Sequence, residues 1–290
     1  SEDLSSKLAL PRIERKKMTT GFKAIIILFG ALILYLSMFT PITPLQRLIE
    51  DLRGTLVTRY SGDLTRDVLV KQIHSHNDYW RDIPLFTALS YGAQSIEADV
   101  WYFEGDEKLY VGHRRASLNS VRTFQSLYID PLVQILNETN QHNNFTALSP
   151  EENRPAGVFD TDPNATLYLF VDVKTHGELT WPKIASALQP LRERNYLTYF
   201  NGTDVIYGPV TVIGTGNAPL DQIASQPSRD YFCDGPIASL NETFTNTLSP
   251  IASGELSKII GTSLRTSKNT GLNDEHFERL KTAVESAHSK

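Results

Sequence analysis

The sequence predicts an α/β protein with a parallel sheet at its centre, on three observations. Short β-branched runs alternate with helical stretches from Asp67 onward. Some of these runs, Leu167-Tyr-Leu-Phe-Val above all, are almost continuously apolar, as strands buried on both faces of a parallel sheet are. Residue types that carry chemistry gather at the ends of the same runs, where a barrel presents its site. Together they point to a TIM-type (β/α) barrel.

Taken in order, strands are expected over 68–74, 95–100, 109–111, 167–173, 210–214, 231–233 and 251–253. Helices are expected over 84–91, 127–136, 181–194 and 273–287. Residues 137–165 are rich in Asn, Pro and Thr and read as a surface excursion between two barrel units. About six barrel strands fit before the chain stops at Ala-His-Ser-Lys, and an eight-stranded barrel needs two more strand–helix units. The first residue is Ser rather than Met. The sequence therefore reads as a fragment, with an incomplete barrel over 67–290.

The N-terminal part is different. Residues 1–23 form a polar, basic tail. Residues 24–40, AIIILFGALILYLSMFT, carry no charge and read as a transmembrane signal-anchor. Lys7, Arg12, Arg15, Lys16, Lys17 and Lys23 precede it, which puts the N-terminus in the cytosol and the rest across the membrane. A cleaved signal peptide fits less well, because Ser37-Met38-Phe39-Thr40 is a poor cleavage site. Residues 41–66 read as a juxtamembrane helix or stalk, with Leu45, Leu48, Ile49, Leu52 and Leu56 near helical spacing. Five N-x-Thr sequons follow, at Asn137, Asn144, Asn164, Asn201 and Asn241, and predict glycosylation of a lumenal or extracellular domain. The expectation is a single-pass type II membrane protein of the secretory pathway.

Composition narrows the functional classes. The 290 residues carry a net charge of −5, which gives no reason to expect a nucleic-acid partner. Cys233 is alone, so no intrachain disulfide forms, and it reads as a small buried hydrophobe. Nothing in the sequence identifies a protein partner.

The chemistry concentrates in residues 73–113. Histidines at 74 and 76, and again at 113, bracket an acidic pair, Glu97 and Asp99. Imidazoles take and give protons near neutral pH. Residues two apart on a strand share a face, so Glu97 and Asp99 can offer oxygen ligands to one hard cation. A cation flanked by two imidazoles suits phosphodiester cleavage. Gly214-Thr-Gly-Asn-Ala-Pro fits a phosphate-cradling loop, but a tight strand–helix turn explains it equally.

The stretch His76-Asn77-Asp78-Tyr79, Pro84-Leu85, Ala88-Leu89, Gly92, Ser95, Glu97-Ala98-Asp99, Val111-Gly112-His113 and Leu127-Tyr128 to Pro131-Leu132 resembles the fungal family named altered inheritance of mitochondria protein 6. That family is similar to the phosphatidylinositol-phospholipase-C-like phosphodiesterases, which include glycerophosphodiester phosphodiesterases and sphingomyelinase D. The resemblance implies a TIM-type barrel of the phospholipase-C-like phosphodiesterase kind. It implies a metal-dependent phosphoric diester hydrolase acting on a glycerophosphodiester or phospholipid. By motif position His76 and His113 become the acid–base pair. Glu97, Asp99 and Asp172 become ligands of one divalent cation, Mg²⁺ favoured and Ca²⁺ the alternative. Lys174, two residues beyond Asp172, either pairs with it or neutralises a phosphate oxygen. Relatives carry Arg where this chain has Asn77, so Asn77 is a substrate-binding candidate without the cationic grip. His74 shares the face of His76 and is a third substrate-binding candidate.

Two rival readings remain at this stage. His74-Ser-His76 also fits the opening zinc motif of amidohydrolases, although the later strands supply no pair of histidines. An incomplete barrel could instead persist as a non-catalytic lipid-binding or structural relic.

Overall fold

The computed structural model describes residues 64–141, 154–262 and 271–290. The chain forms β1 (Lys71–Ser75), α1 (Phe86–Ser90), β2 (Ala93–Tyr102), β3 (Leu109–Val111), α2 (Asp130–Thr139) and β4 (Leu167–Val173). It continues with α3 (Gly177–Ala187), α4 (Gln189–Arg192), β5 (Tyr199–Phe200), β6 (Val205–Ile206) and β7 (Val210–Gly216). It ends with α5 (Leu220–Ala224), β8 (Phe232–Pro236), β9 (Ile251–Ser253), α6 (Leu256–Ile260) and α7 (Asp274–His288).

The sheet runs β1-β2-β4-β7-β8-β9, so chain order and spatial order coincide once the extra pieces are set aside. All five pairings along this path are parallel. The result is an α/β fold with a curled, open arc of parallel strands, a half-barrel. The extra pieces are β3, antiparallel to β2, and the β5–β6 hairpin.

Alternation along the strands explains the two faces. Ile96, Ala98 and Val100 of β2, Leu167, Leu169, Val171 and Val173 of β4, and Val210 and Val212 of β7 are buried in the main core with the helices. From α2, Leu132, Ile135 and Leu136 join them at i, i+3, i+4 spacing. The opposite, concave face holds a smaller cluster of Phe170, Ile213 and Phe232. Towards the C-terminal strand ends that face turns polar, with Glu97, Asp99, Asp172, Thr215 and Asp234. The strands expected at 109–111, 167–173 and 251–253 form as predicted. The expected helix 181–194 instead starts at Gly177 and breaks at Leu188. The β5–β6 hairpin was not expected, because two-residue strands leave no periodic signal.

Gly214 and Gly216 resolve the two readings of the glycine run. A Cβ at Gly214 would lie 2.6 Å from the Trp181 indole, so this glycine admits close helix–sheet packing. Gly216 has φ +65°, and a Cβ there would lie 2.0 Å from Asp172 Oδ1. Both glycines serve close approach.

The membrane topology is corrected. Among the described residues, no helix is long and apolar enough to cross a membrane, and the single-pass expectation gains no support. The basic tail, the apolar run 24–40 and all but the end of the 41–66 stalk lie outside the described residues, as does Asn144. Asn137 is exposed on α2, and its amide oxygen accepts the Tyr196 hydroxyl at 3.0 Å. Asn164 is exposed before β4. Asn201 and Asn241 use their side-chain oxygens to close local turns onto Thr203 and Thr243.

Gly214→Ala should lower stability by about 1–3 kcal/mol through overpacking against Trp181. The urea midpoint checks this, and an unchanged midpoint would refute the packing role.

Candidate active site

The site is built at the C-terminal ends of β1, β2 and β4. After β1 the chain turns through Asn77 in the left-handed region, φ 49°, which Asn tolerates better than most residues. That turn aims the Asn77 backbone N–H at Glu97 Oε2, 2.8 Å away. Asp78, fully buried, holds the turn by accepting the Ser75 hydroxyl at 2.8 Å and the Leu85 N–H at 2.7 Å. Burial pushes its carboxyl up, while these hydrogen bonds pull it back. The Tyr79 hydroxyl lies 2.7 Å from both Asp99 Oδ2 and Asn77 Oδ1, so its single proton serves one at a time. The Arg122 guanidinium donates to the Tyr79 carbonyl.

Strand register assembles the acids. Asp99 of β2 stands directly beside Asp172 of β4. Glu97, Asp99 and Asp172 each offer an oxygen within 4.8 Å of the others. Asp99 has no solvent exposure. Its Oδ2 receives Tyr79, the Lys174 ammonium at 3.0 Å and, at 3.3 Å, His113 Nδ1. Its Oδ1 has no hydrogen-bond partner. Lys174 also reaches Asp172 Oδ2 at 2.5 Å. Burial works against the Lys174 charge, but the hydrogen bonds it donates to Asp172 and Asp99, with the charge of those carboxylates, outweigh it and raise its pKa. Burial likewise pushes Glu97 up. The Asn77 N–H and the His76 imidazole lower it, and Asp99 and Asp172 add to the rise. Three carboxylates against one ammonium, with a buried oxygen unpartnered, form a donor set that could bind a hard cation.

The two histidines arrive from different strands. His76 follows β1, is exposed, and places Nε2 3.6 Å from Glu97 Oε2. His113 follows β3, whose pairing to β2 continues through Gly112 N–H to the Asp99 carbonyl at 3.1 Å. The Trp80 ring meets His113 edge-on, with centroids 5.3 Å apart. His76, His113, Glu97, Asp99, Asp172, Lys174 and Asn77 are thus brought together. His74 stands two residues back on β1 and faces the concave cavity. Its Nδ1 is 2.7 Å from Ser95 Oγ, and its ring is edge-on to Phe170. Burial, and then the charge of His76, lower its pKa.

Tyr79, Asp78, Trp80 and Arg122 complete the site without having been singled out in the sequence. Tyr79 and Asp78 stand in the His-Asn-Asp-Tyr motif itself. Arg122 has no local signal, because it acts from 43 residues away.

An AIM6-like phosphodiesterase domain model matches residues 62–234. The chain belongs to that family. A homolog of altered inheritance of mitochondria protein 6 from Arthroderma benhamiae is 45% identical over 254 residues, 85% of this chain and 78% of that protein. Proteins named altered inheritance of mitochondria protein 6 from Lachancea thermotolerans and Eremothecium gossypii are 38% and 37% identical, over 72% and 68% of this chain. The chain spans about half the length of these last two, 50% and 52%. No solved structure matches.

The raised Glu97 fixes a pH dependence. A folded carboxyl that holds its proton more tightly than the unfolded one stabilises the fold at low pH. That contribution is lost as pH rises past the ordinary 4.5 and through the raised folded range. In chelator, Glu97→Gln should therefore flatten the decline of stability above that value. Parallel urea midpoints for mutant and native protein across pH would sink the assignment.

Proposed function

We propose that this chain is a metal-dependent phosphoric diester hydrolase acting on a glycerophosphodiester or phospholipid by acid–base catalysis between His76 and His113. One observation carries this reading. The two imidazoles flank the Glu97–Asp99–Asp172 cluster, each beside a different carboxylate. The family-level phosphodiesterase description agrees with it. The sequential parallel strand order supports reading the arc as part of a TIM-type barrel, with the site where such barrels carry theirs.

Glu97, Asp99 and Asp172 would hold the cation, Mg²⁺ by preference with Ca²⁺ as the alternative, and the unpartnered Asp99 Oδ1 fits that role. When bound, the cation supplies positive charge to the phosphoryl oxygens. His76 takes the proton of the attacking water as the new P–O bond forms. His113 gives a proton to the departing oxygen as the old bond breaks. Lys174 adds a fixed positive charge on the cluster side. Trp80 limits the swing of the His113 ring. The zinc alternative loses ground: His74 is engaged with Ser95, and among the described residues the carboxylate triad is the sole group with metal-ligand geometry.

His76→Ala and His113→Ala should each lower turnover of a glycerophosphodiester and phospholipid panel by about 10²- to 10⁴-fold with the fold intact. Full activity in either variant would remove the acid–base assignment. Mg²⁺ should raise the melting temperature, and Tyr79→Phe should weaken that binding by about 10- to 100-fold by freeing Asp99. Scanning calorimetry measures the first effect and titration calorimetry the second. Native-strength binding in Tyr79→Phe would show that the hydroxyl does not orient Asp99.

A further inference from the structure

After His113 the chain reads Arg114-Arg115-Ala116-Ser117-Leu118, the one place in the sequence where two arginines are adjacent. Residues 113–117 are exposed and Leu118 is half-buried. Arg115–Ser117 make a single 3-10 turn. Ser117 Oγ donates to the Arg114 carbonyl at 2.7 Å and accepts the Arg114 N–H at 3.2 Å. Among the described residues, the hydrogen bonds of 114–119 all stay within 114–122. A segment held by local bonds alone opens at small cost. Among the described residues the ion-paired arginines are Arg66, Arg192 and Arg279. Arg114 and Arg115 therefore meet no carboxylate, and the Arg115 guanidinium lies over the Phe103 ring, 5.1 Å from its centroid.

We propose that Ser117 is a phosphorylation site for a serine kinase that selects basic residues, and that the phosphate placed there weakens the binding of anionic diesters. The site stands apart from the phosphodiesterase reading above, whereas its effect on turnover rests on that reading. Two guanidiniums, three and two residues before the hydroxyl, offer planar forks to a kinase cleft lined with carboxylates, and Leu118 just after it offers an apolar anchor. Ser117 Oγ attacks the γ-phosphorus of ATP. The new O–P bond forms as the bond to the β,γ-bridging oxygen breaks, ADP leaves with the electron pair, and the hydroxyl proton passes to the kinase's catalytic carboxylate. The product carries a charge of about −1.5 to −2 at neutral pH. It no longer donates to the Arg114 carbonyl, and its oxygens accept the Arg114 N–H and guanidinium instead. Gly112 fixes where this charge falls. A Cβ at Gly112 would lie 3.1 Å from Ser117 Oγ, and the Gly112 N–H donates to the Asp99 carbonyl at 3.1 Å. His113 is the next residue, so the Ser117 oxygen lies within about 10 Å of the His113 backbone. A phosphate there repels a substrate phosphate that approaches the same imidazole.

In the test, the full chain is incubated with the catalytic subunit of cyclic-AMP-dependent protein kinase and ATP, and the phosphate is located by mass spectrometry. Ser117 should be labelled to near completion. Arg114→Ala and Arg115→Ala should each slow that labelling about 10- to 100-fold, the range for lost hydrogen bonds to a charged group. No phosphate on Ser117, or labelling at native speed in both arginine variants, would overturn the site. Labelling of a synthetic peptide of residues 111–121 without labelling of the folded protein would overturn it too, by showing that the turn stays closed. At low ionic strength the phosphorylated protein should have a KM for bis(p-nitrophenyl) phosphate raised about 2- to 10-fold, the range for like charges roughly 10 Å apart near a protein surface. Phosphatase treatment should restore it, and Ser117→Ala should keep the native KM with or without the kinase. An unchanged KM after full labelling would overturn the weakening of diester binding. If the unmodified protein cleaves no diester, the hydrolase reading fails on its own, and the labelling alone decides the site.

Discussion

A carboxylate with no solvent exposure is costly unless its surroundings supply charge and hydrogen bonds, and Asp99 is such a carboxylate. Much of the local architecture answers that demand. Tyr79 brings a hydroxyl, Lys174 an ammonium and His113 an imidazole, all to the same oxygen. Each comes from a different element, so satisfying Asp99 ties the turn after β1, the end of β4 and the loop after β3 into one unit. The other Asp99 oxygen is left over, and Glu97 and Asp172 gather beside it to make a cluster of three acids on the concave face.

The same arrangement separates two kinds of work. The convex side of the sheet is apolar throughout and holds the helices. The concave side is apolar only in its middle, where Phe170, Ile213 and Phe232 meet. Above that layer the strands end in acids and hydroxyls. Chemistry is thus placed on rigid strand ends, while the loops between them close turns and cap the edges.

Much of this was legible in the sequence because strands alternate with a fixed period. Glu97 and Asp99 had to share a face, and Leu167–Val173 had to be buried on both sides. The approach of Asp172 to Asp99 was reached through family resemblance, since register between distant strands leaves no trace in local pattern. Tyr79 was visible as a letter but not as a contact, because its partner lies 20 residues on. Two-residue strands and five-residue helices such as α5 and α6 carry too little periodicity to be found. The apolar run 24–40 was the clearest compositional signal in the chain, and it falls outside the described residues, which hold no membrane-spanning helix.

One feature of the sheet bears on how such a site tolerates change. β1 and β3 share a single edge of β2: β1 pairs with its first half, up to Ile96, and β3 with its last three residues. Both histidines are therefore carried by strands clamped to one common rail, and the distance between them is set by the length of that rail. The connection 103–108 can lengthen, shorten or drift in composition without altering that spacing, whereas 81–92 carries the buried Leu85 and Leu89 and the Leu85 N–H that holds Asp78. A one-residue insertion within β2 between Ile96 and Val100 would instead reverse which face the downstream residues present. Evolutionary variation and engineering alike have freedom in the 103–108 connection and almost none in those few residues.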